Sequence, residues 1–167
     1  MTIETKRLCL MPLKAEQLVQ WADDMDGLAR SVVAEFCNKL DDQLVHALQK
    51  RAKAICDAPE NWLWHTIWLI LHKEDRKVVG HLGFMGEPDD DGVIEFVFAL
   101  GTAFERRGYM TEAVRALCRW AKLKPNVYRI KATVDSKNIK AQRVLHNGGF
   151  IQDDSSEDDV WFFEARS

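Results

Sequence analysis

Basic charge in excess, flexible glycine- and proline-rich tracts, paired cysteines and long apolar runs are all missing from this chain, and each absence excludes something. Its 167 residues carry 23 Lys and Arg against 26 Asp and Glu, a formal net charge of −3 at pH 7. No basic surplus is present to drive sequence-independent binding to nucleic acid. Only four prolines and nine glycines occur, with no Pro/Gly/Ser-rich linker and no internal repeat, so one domain over residues 1–167 is expected. Cys9, Cys37, Cys56 and Cys118 are far apart, without a Cys-x-x-Cys pair or a histidine at ligand spacing. That pattern argues against a zinc site or a disulfide framework, and no metal is expected. The longest apolar run, Trp62 to Leu71, is broken by His65 and Thr66 and is well short of the ~20 residues of a membrane-spanning helix. The segment Met1 to Lys14 places Glu4, Lys6, Arg7 and Lys14 around Leu8-Cys9-Leu10-Met11, which lacks the apolar core of a secretory signal. A cytoplasmic protein with neither a membrane nor a nucleic-acid partner is expected.

What the chain does have is 47% hydrophobic residues in a pattern that changes period along its length. Ile3 to Pro12 alternates like a first strand, which Pro12 ends by removing a ladder donor. Leu18, Trp21, Ala22 and Met25, then Leu40, Leu44, Val45, Leu48, Ala52 and Ile55, recur at helical spacing and predict two amphipathic helices. From Trp62 the composition turns aromatic and β-branched, so Trp62 to Leu71, Val78 to Phe84 and Val93 to Leu100 read as an antiparallel meander with polar turns between. The turn before Val93, Asp89-Asp90-Asp91-Gly92, and the later run Asp153 to Asp159 gather carboxylates that solvated turns would hold, or that a cationic amine would meet. Met110, Ala113, Val114, Leu117, Cys118 and Ala121 then define one helical face that Pro125-Asn126 stops. A strand Tyr128 to Val134, a helix Ile139 to His146 and strands near Phe150 and Val160 to Glu164 complete an α/β pattern with one mixed sheet.

The segment Ala99 to Ala113 carries the first chemical signal. A strand runs through Arg106-Arg107-Gly108 directly into an amphipathic helix. Unpaired N–H groups and the helix dipole make such a start a site for a pyrophosphate, and a glycine allows close approach. The same residues also fit a plain strand-to-helix connection with solvated arginines. A second segment, Asp135 to Phe150, lies after the next strand. Together the two resemble the Gcn5-related N-acetyltransferase superfamily, in particular the branch that acetylates ribosomal-protein amino termini. Gly108-Tyr109, Thr111-Glu112-Ala113, Asn138, Arg143-Val144-Leu145 and Gly149-Phe150 carry the likeness at matching separations. Glu4 to Leu8, Val79-Gly80 and Ile94-Glu95-Phe96 add to it.

That resemblance implies a single mixed, splayed and mostly antiparallel sheet of about seven strands flanked by about four helices. It further implies acetyl-coenzyme A held between the strands Val93 to Leu100 and Tyr128 to Val134. The backbone at Phe98, Ala99 and Leu100 would pair with the pantetheine arm. Arg106, Arg107, Gly108, Tyr109, Met110 and Thr111 would surround the pyrophosphate, and Asn138 would reach the pantetheine or its water. The implied reaction is direct acetyl transfer to a primary amine, of a protein N-terminus or a small molecule, by a monomer or homodimer. The sequence departs from the pattern at Glu105, Arg106 and Met110, which replace Gln or Arg, glycine and a small residue. It departs again at Ala141 and Leu145, where relatives place Ser and Tyr hydroxyls to protonate the thiolate; water or Tyr109 remains. These departures also leave a non-catalytic acyl-coenzyme A-binding module as a second class of function.

Glu95 is the candidate base, as the ionisable residue of the strand Val93 to Leu100, where apolar neighbours favour proton uptake by a carboxylate. The competing reading is a glutamate on the strand's exposed face, paired with a neighbouring lysine or simply solvated. His65 and His81, expected within strands, and His146, expected at a helix end, are further proton carriers or structural groups. Trp62, Trp64 and Trp68, on one strand face by period two, would line an acceptor pocket or form core.

Overall fold

The chain turns back on itself almost at once. In the computed structural model, which describes residues 1–164, the expected first strand is two: β1 (Ile3–Glu4) and β2 (Leu8–Pro12), paired antiparallel. The turn between them closes on the Thr5 hydroxyl, which accepts from the Leu8 N–H at 2.9 Å, while the Thr5 N–H donates to the Leu8 carbonyl at 2.8 Å. A threonine can divert the backbone in this way, and alternation alone does not show it.

Two helices follow where one was expected, α1 (Ala15–Asp23) and α2 (Met25–Val32). They are separated at Asp24, whose side chain accepts from the Gly27 N–H at 3.0 Å and so starts a new helix. The short β3 (Glu35–Phe36) precedes α3 (Asp42–Asp57), capped by Asp41 on the Leu44 N–H at 2.7 Å. Trp62 and Trp64 are not on a strand but on a single helical turn, α4 (Trp62–His65), entered through a 3₁₀ turn that Pro59 begins. An aromatic run fits a half-buried helical turn as well as a strand. The half-buried Arg51 guanidinium fixes the change of direction, donating to the carbonyls of His65 at 2.9 Å, Thr66 at 3.1 Å and Phe84 at 2.8 Å.

The meander is β4 (Ile67–His72), β5 (Lys77–Phe84) and β6 (Val93–Leu100). After α5 (Tyr109–Lys122) come β7 (Arg129–Asp135), α6 (Ile139–Asn147), β8 (Phe150–Ser155) and β9 (Asp159–Glu164). Asp153 and Asp154, expected in a turn, therefore lie on β8, and Asp159 opens β9. Among the described residues the sheet runs β1-β2-β4-β5-β6-β7-β9-β8, with β3 beside β5. Its neighbours are antiparallel except at β3–β5 and β6–β7. This is the mixed, mostly antiparallel sheet flanked by helices that the sequence implied, with two strands more because Ile3 to Pro12 divides and Glu35–Phe36 adds itself.

The core has two layers. One packs Val114, Leu117 and Ala121 of α5 against Trp68, Val79, Phe96, Ile130 and Phe162. The other packs Trp21, Leu48 and Ile55 of α1 and α3 against Leu69, Leu71 and Val78. Trp64 and Trp68 meet Trp120 at 5.2 Å each in the first layer, while Trp62 belongs to the second. Trp68 is thus a core residue, and the half-buried Trp64 and Trp62 pack against the core on opposite sides of the sheet. No helix of the described residues is long and apolar enough to cross a membrane.

Candidate active site

The parallel pair β6–β7 is joined over only three positions. Val93, Ile94 and Glu95 face Arg129, Ile130 and Lys131 in register. The join starts at Gly92, whose carbonyl accepts from the Tyr128 and Arg129 N–H groups at 2.8 and 3.1 Å. Beyond Glu95, β6 pairs only with β5 and β7 only with β9, so the sheet splays between Phe96–Leu100 and Ala132–Asp135. The edge of β6 in that gap offers free backbone groups. The Glu95 carbonyl accepts from Met85 and the Gly101 N–H donates to Val79, so odd positions turn their peptide groups toward β5 and even positions toward the gap. Phe98 and Leu100 thus present N–H and C=O to the opening. Ala99, opposite His81 in register, directs its own groups to β5.

At the wide end of the gap stands the start of α5. Asp24, Asp41 and Asn138 cap the helices they precede, whereas α5 begins at Gly108 without a side-chain cap. The first protein hydrogen bond at this end runs from the Glu112 N–H to the Gly108 carbonyl at 3.1 Å. The N–H groups of Gly108 to Thr111 stay free among the described residues, as the first turn of a helix leaves them. Arg106 at φ 66° and Gly108 at φ 77° both take the left-handed conformation, which turns successive N–H groups into a concave anion cradle. For Arg106, a residue with a Cβ, that conformation costs roughly 1 kcal/mol.

Gap and cradle form one cleft of about 500 Å³. Phe98, Ala99, Leu100, Arg106, Gly108, Tyr109, Met110, Thr111 and Asn138 all line it. Two expected site residues, Arg107 and Glu95, stand outside this lining; the Arg107 carbonyl accepts from Arg7 Nη1 at 2.8 Å. Met110 is buried in the core and Tyr109 packs its ring 5.2 Å from that of His72, so each offers the cradle its N–H. Asn138 accepts from the Ala141 N–H at 3.0 Å, leaving its amide N–H groups for a ligand. Glu105, whose charge would oppose a phosphate, is paired with Lys140 Nζ at 2.8 Å.

Glu95 is the last β6 residue joined to β7, at the vertex of the splay. Its neighbours Ile94 and Phe96 are buried under α5, so by strand alternation Glu95 faces the opposite side of the sheet. Lys131 is beside it in register, yet no ion pair within 4.0 Å joins them among the described residues. His81 is also on that side, with the Trp21 ring edge-on at 5.5 Å. Burial, reinforced by the Arg51 charge and opposed by Asp41, lowers its pKa to about 4, too weak a base for an ammonium group. His65, expected in a strand, ends α4 and pairs with Glu87 at 3.1 Å. His146 lies in the last turn of α6 with its ring edge-on to Phe162.

A strand edge open beside an uncapped helix start is the arrangement that the resemblance implied, and comparison with known proteins bears on the family. Residues 7–151 match the family model described as acetyltransferase (GNAT) domain. The chain belongs to that family. The N-acetyltransferase YjdG of Bacillus subtilis (strain 168) is 37% identical over 100 residues, 59% of this chain and 60% of the relative; the match therefore spans less than two thirds of that protein. Among solved structures, the ribosomal-protein-S5-alanine acetyltransferase from Vibrio fischeri superposes with a TM-score of 0.72 at 17% identity, covering 98% of this chain and 96% of that one. RimL, a ribosomal L7/L12 alpha-N-protein acetyltransferase solved with coenzyme A, gives 0.65 at 14% identity, covering 98% and 97%.

Within this GNAT domain, α6 supplies part of the cleft wall that the sequence reading passed over. Lys140, Ala141, Arg143, Val144 and Asn147 line it with Glu105. Arg143 was legible, since it lies in the motif Arg143-Val144-Leu145 and its charge suits phosphate. The Glu105–Lys140 pair was not, because it joins residues 35 positions apart.

Proposed function

We propose that this chain is an acetyl-coenzyme A-dependent N-acetyltransferase that moves an acetyl group directly to a primary amine, of a protein N-terminus or a small molecule. The observation that carries the reading is that the free edge of β6, the uncapped start of α5 and the Glu95 vertex all border one splay. Phe98 and Leu100 would pair with the pantetheine arm as a neighbouring strand would. The N–H groups of Gly108 to Thr111 would bind the pyrophosphate, with Arg106 and Arg143 adding charge. Asn138 would donate its amide N–H from the α6 side. The coenzyme supplies the acetyl group as a thioester.

Glu95 takes a proton from the ammonium form of the acceptor, directly or through water. The freed amine nitrogen bonds to the carbonyl carbon, the carbon–sulfur bond breaks, the nitrogen gives up its surplus proton to water, and water in turn protonates the departing thiolate. Ala141 and the fully buried Leu145 offer no hydroxyl for that last step, so water is the proposed donor. Holding both reactants at the vertex contributes much of the acceleration.

The test is thiol release from acetyl-coenzyme A, followed colorimetrically over a panel of peptides and small amines. Release that depends on an added amine supports the enzyme. Tight coenzyme binding with no turnover over the whole panel would replace it with a binding module.

A further inference from the structure

The phosphate cradle is held from behind by two residues outside the cleft. Glu112, in the first turn of α5, and Arg7, before β2, line an adjoining groove on the other flank of the helix start, which shares Gly108, Thr111 and Asn147 with the cleft. One Glu112 oxygen accepts from the Thr5 hydroxyl at 2.6 Å and the Arg7 N–H at 2.9 Å, and the other accepts from Arg7 Nε at 2.7 Å. Arg7 in turn donates from Nη1 to the Arg107 carbonyl at 2.8 Å. Its guanidinium lies 4.6 Å from the centre of the Tyr109 ring. A Cβ built on Gly108 would come within 3.4 Å of its Nη2.

The β1–β2 turn, the cradle residues Arg107 to Tyr109 and the first turn of α5 are thereby tied into one unit by residues more than 100 positions apart. Partial burial of Glu112 acts to raise its pKa, but the hydrogen bonds from Thr5 and Arg7 outweigh it and keep the carboxyl below its usual range. The arrangement has an electrostatic side too. An unpaired carboxylate one turn into α5 would repel a pyrophosphate at its start, and Arg7 neutralises it.

We propose that Arg7 and Glu112 are positioning residues for coenzyme binding, fixing the Arg106–Thr111 cradle and cancelling the Glu112 charge without touching the ligand. The inference rests on the coenzyme reading of the cleft and goes beyond it, since neither residue borders that cleft. Two expectations separate positioning from a general structural role. Binding of a ligand with the pyrophosphate should weaken while binding of its pantetheine half should not. Removing both charges should also cost less than the separate effects predict.

Calorimetric titration with coenzyme A and with pantetheine tests this on the wild type, Arg7→Lys, Arg7→Gln, Glu112→Gln, and Arg7→Gln combined with Glu112→Gln. The fork of Arg7 cannot be copied by Lys, so Arg7→Lys should weaken coenzyme A about fivefold and Arg7→Gln about tenfold or more. The double variant should bind coenzyme A more tightly than Arg7→Gln alone, and pantetheine should bind all forms alike. Coenzyme A affinity equal to wild type in folded Arg7→Lys and Arg7→Gln would overturn the inference, as would equal losses for coenzyme A and pantetheine. If Arg7→Gln does not fold, Arg7→Lys and Glu112→Gln carry the same comparison. A wild type that binds pantetheine but not coenzyme A would overturn the cradle and this inference together.

Discussion

Glu95 of β6 and Lys131 of β7 are the last residues in register before the two strands part. A carboxylate at that vertex stands where a chain lying in the gap ends against the joined part of the sheet. Glu95→Gln keeps size and polarity but cannot accept the proton. It should lower turnover at neutral pH by about a hundredfold or more with coenzyme A affinity unchanged. Steady-state rates and titration calorimetry on the same preparation check it, and unaltered rates would remove Glu95 from the mechanism.

Gly108→Asp adds a Cβ at φ 77° and sets a carboxylate among the free N–H groups of the cradle. Both effects oppose a pyrophosphate. The variant should lose the thermal shift that coenzyme A gives the wild type, which at a hundredfold excess over Kd amounts to about 2.7 kcal/mol of stabilisation. A shift retained in differential scanning would place the phosphate elsewhere.

His81 should contribute a pH dependence of stability in a defined window. Its pKa is lowered by burial from 6.5 to about 4, so between those values the unfolded chain binds a proton that the folded chain refuses. The contribution is complete above about pH 6.5 and is lost as pH falls toward 4. The His81 resonances should titrate near pH 4, and His81→Gln should remove this part of the slope in urea melts.

The two positions where relatives carry hydroxyls should respond differently. Ala141 lines the cleft, so Ala141→Ser places a hydroxyl on its wall with little effect on folding. Leu145 is fully buried, and Leu145→Tyr should overpack the core by about 1–3 kcal/mol. Chemical denaturation of both variants checks the contrast.

Much of this architecture was legible because period and composition report which face of an element is buried. The α5 face from Met110 to Ala121 and the strand Val93 to Leu100 both form as read. The Arg106–Thr111 segment and Asn138 meet across one cleft for a related reason: motif spacing encodes which loops the topology brings together. The departures are long-range in origin. Trp62 and Trp64 leave the strand because Arg51, on another helix, takes the carbonyls at the junction. Ile3 to Pro12 breaks at Thr5, where Glu112 also grips the turn. Ala99 looked equivalent to Phe98 and Leu100, but which way a peptide group points depends on the register with β5. None of these is encoded in local periodicity.

The three-residue join between β6 and β7 also has a mechanical meaning. It is the sole strand-to-strand link between the block β1 to β6 and the block β7 to β9 among the described residues, with the remaining coupling carried by side chains packed under α5 and α6. An extended ligand that pairs with Phe98 and Leu100 on one flank and meets α6 on the other would act as an interposed strand, bridging the two blocks along the length they lack. Occupancy should therefore stiffen the hinge between them, and slowed amide exchange across β7 and β9, far from any phosphate, would be its signature.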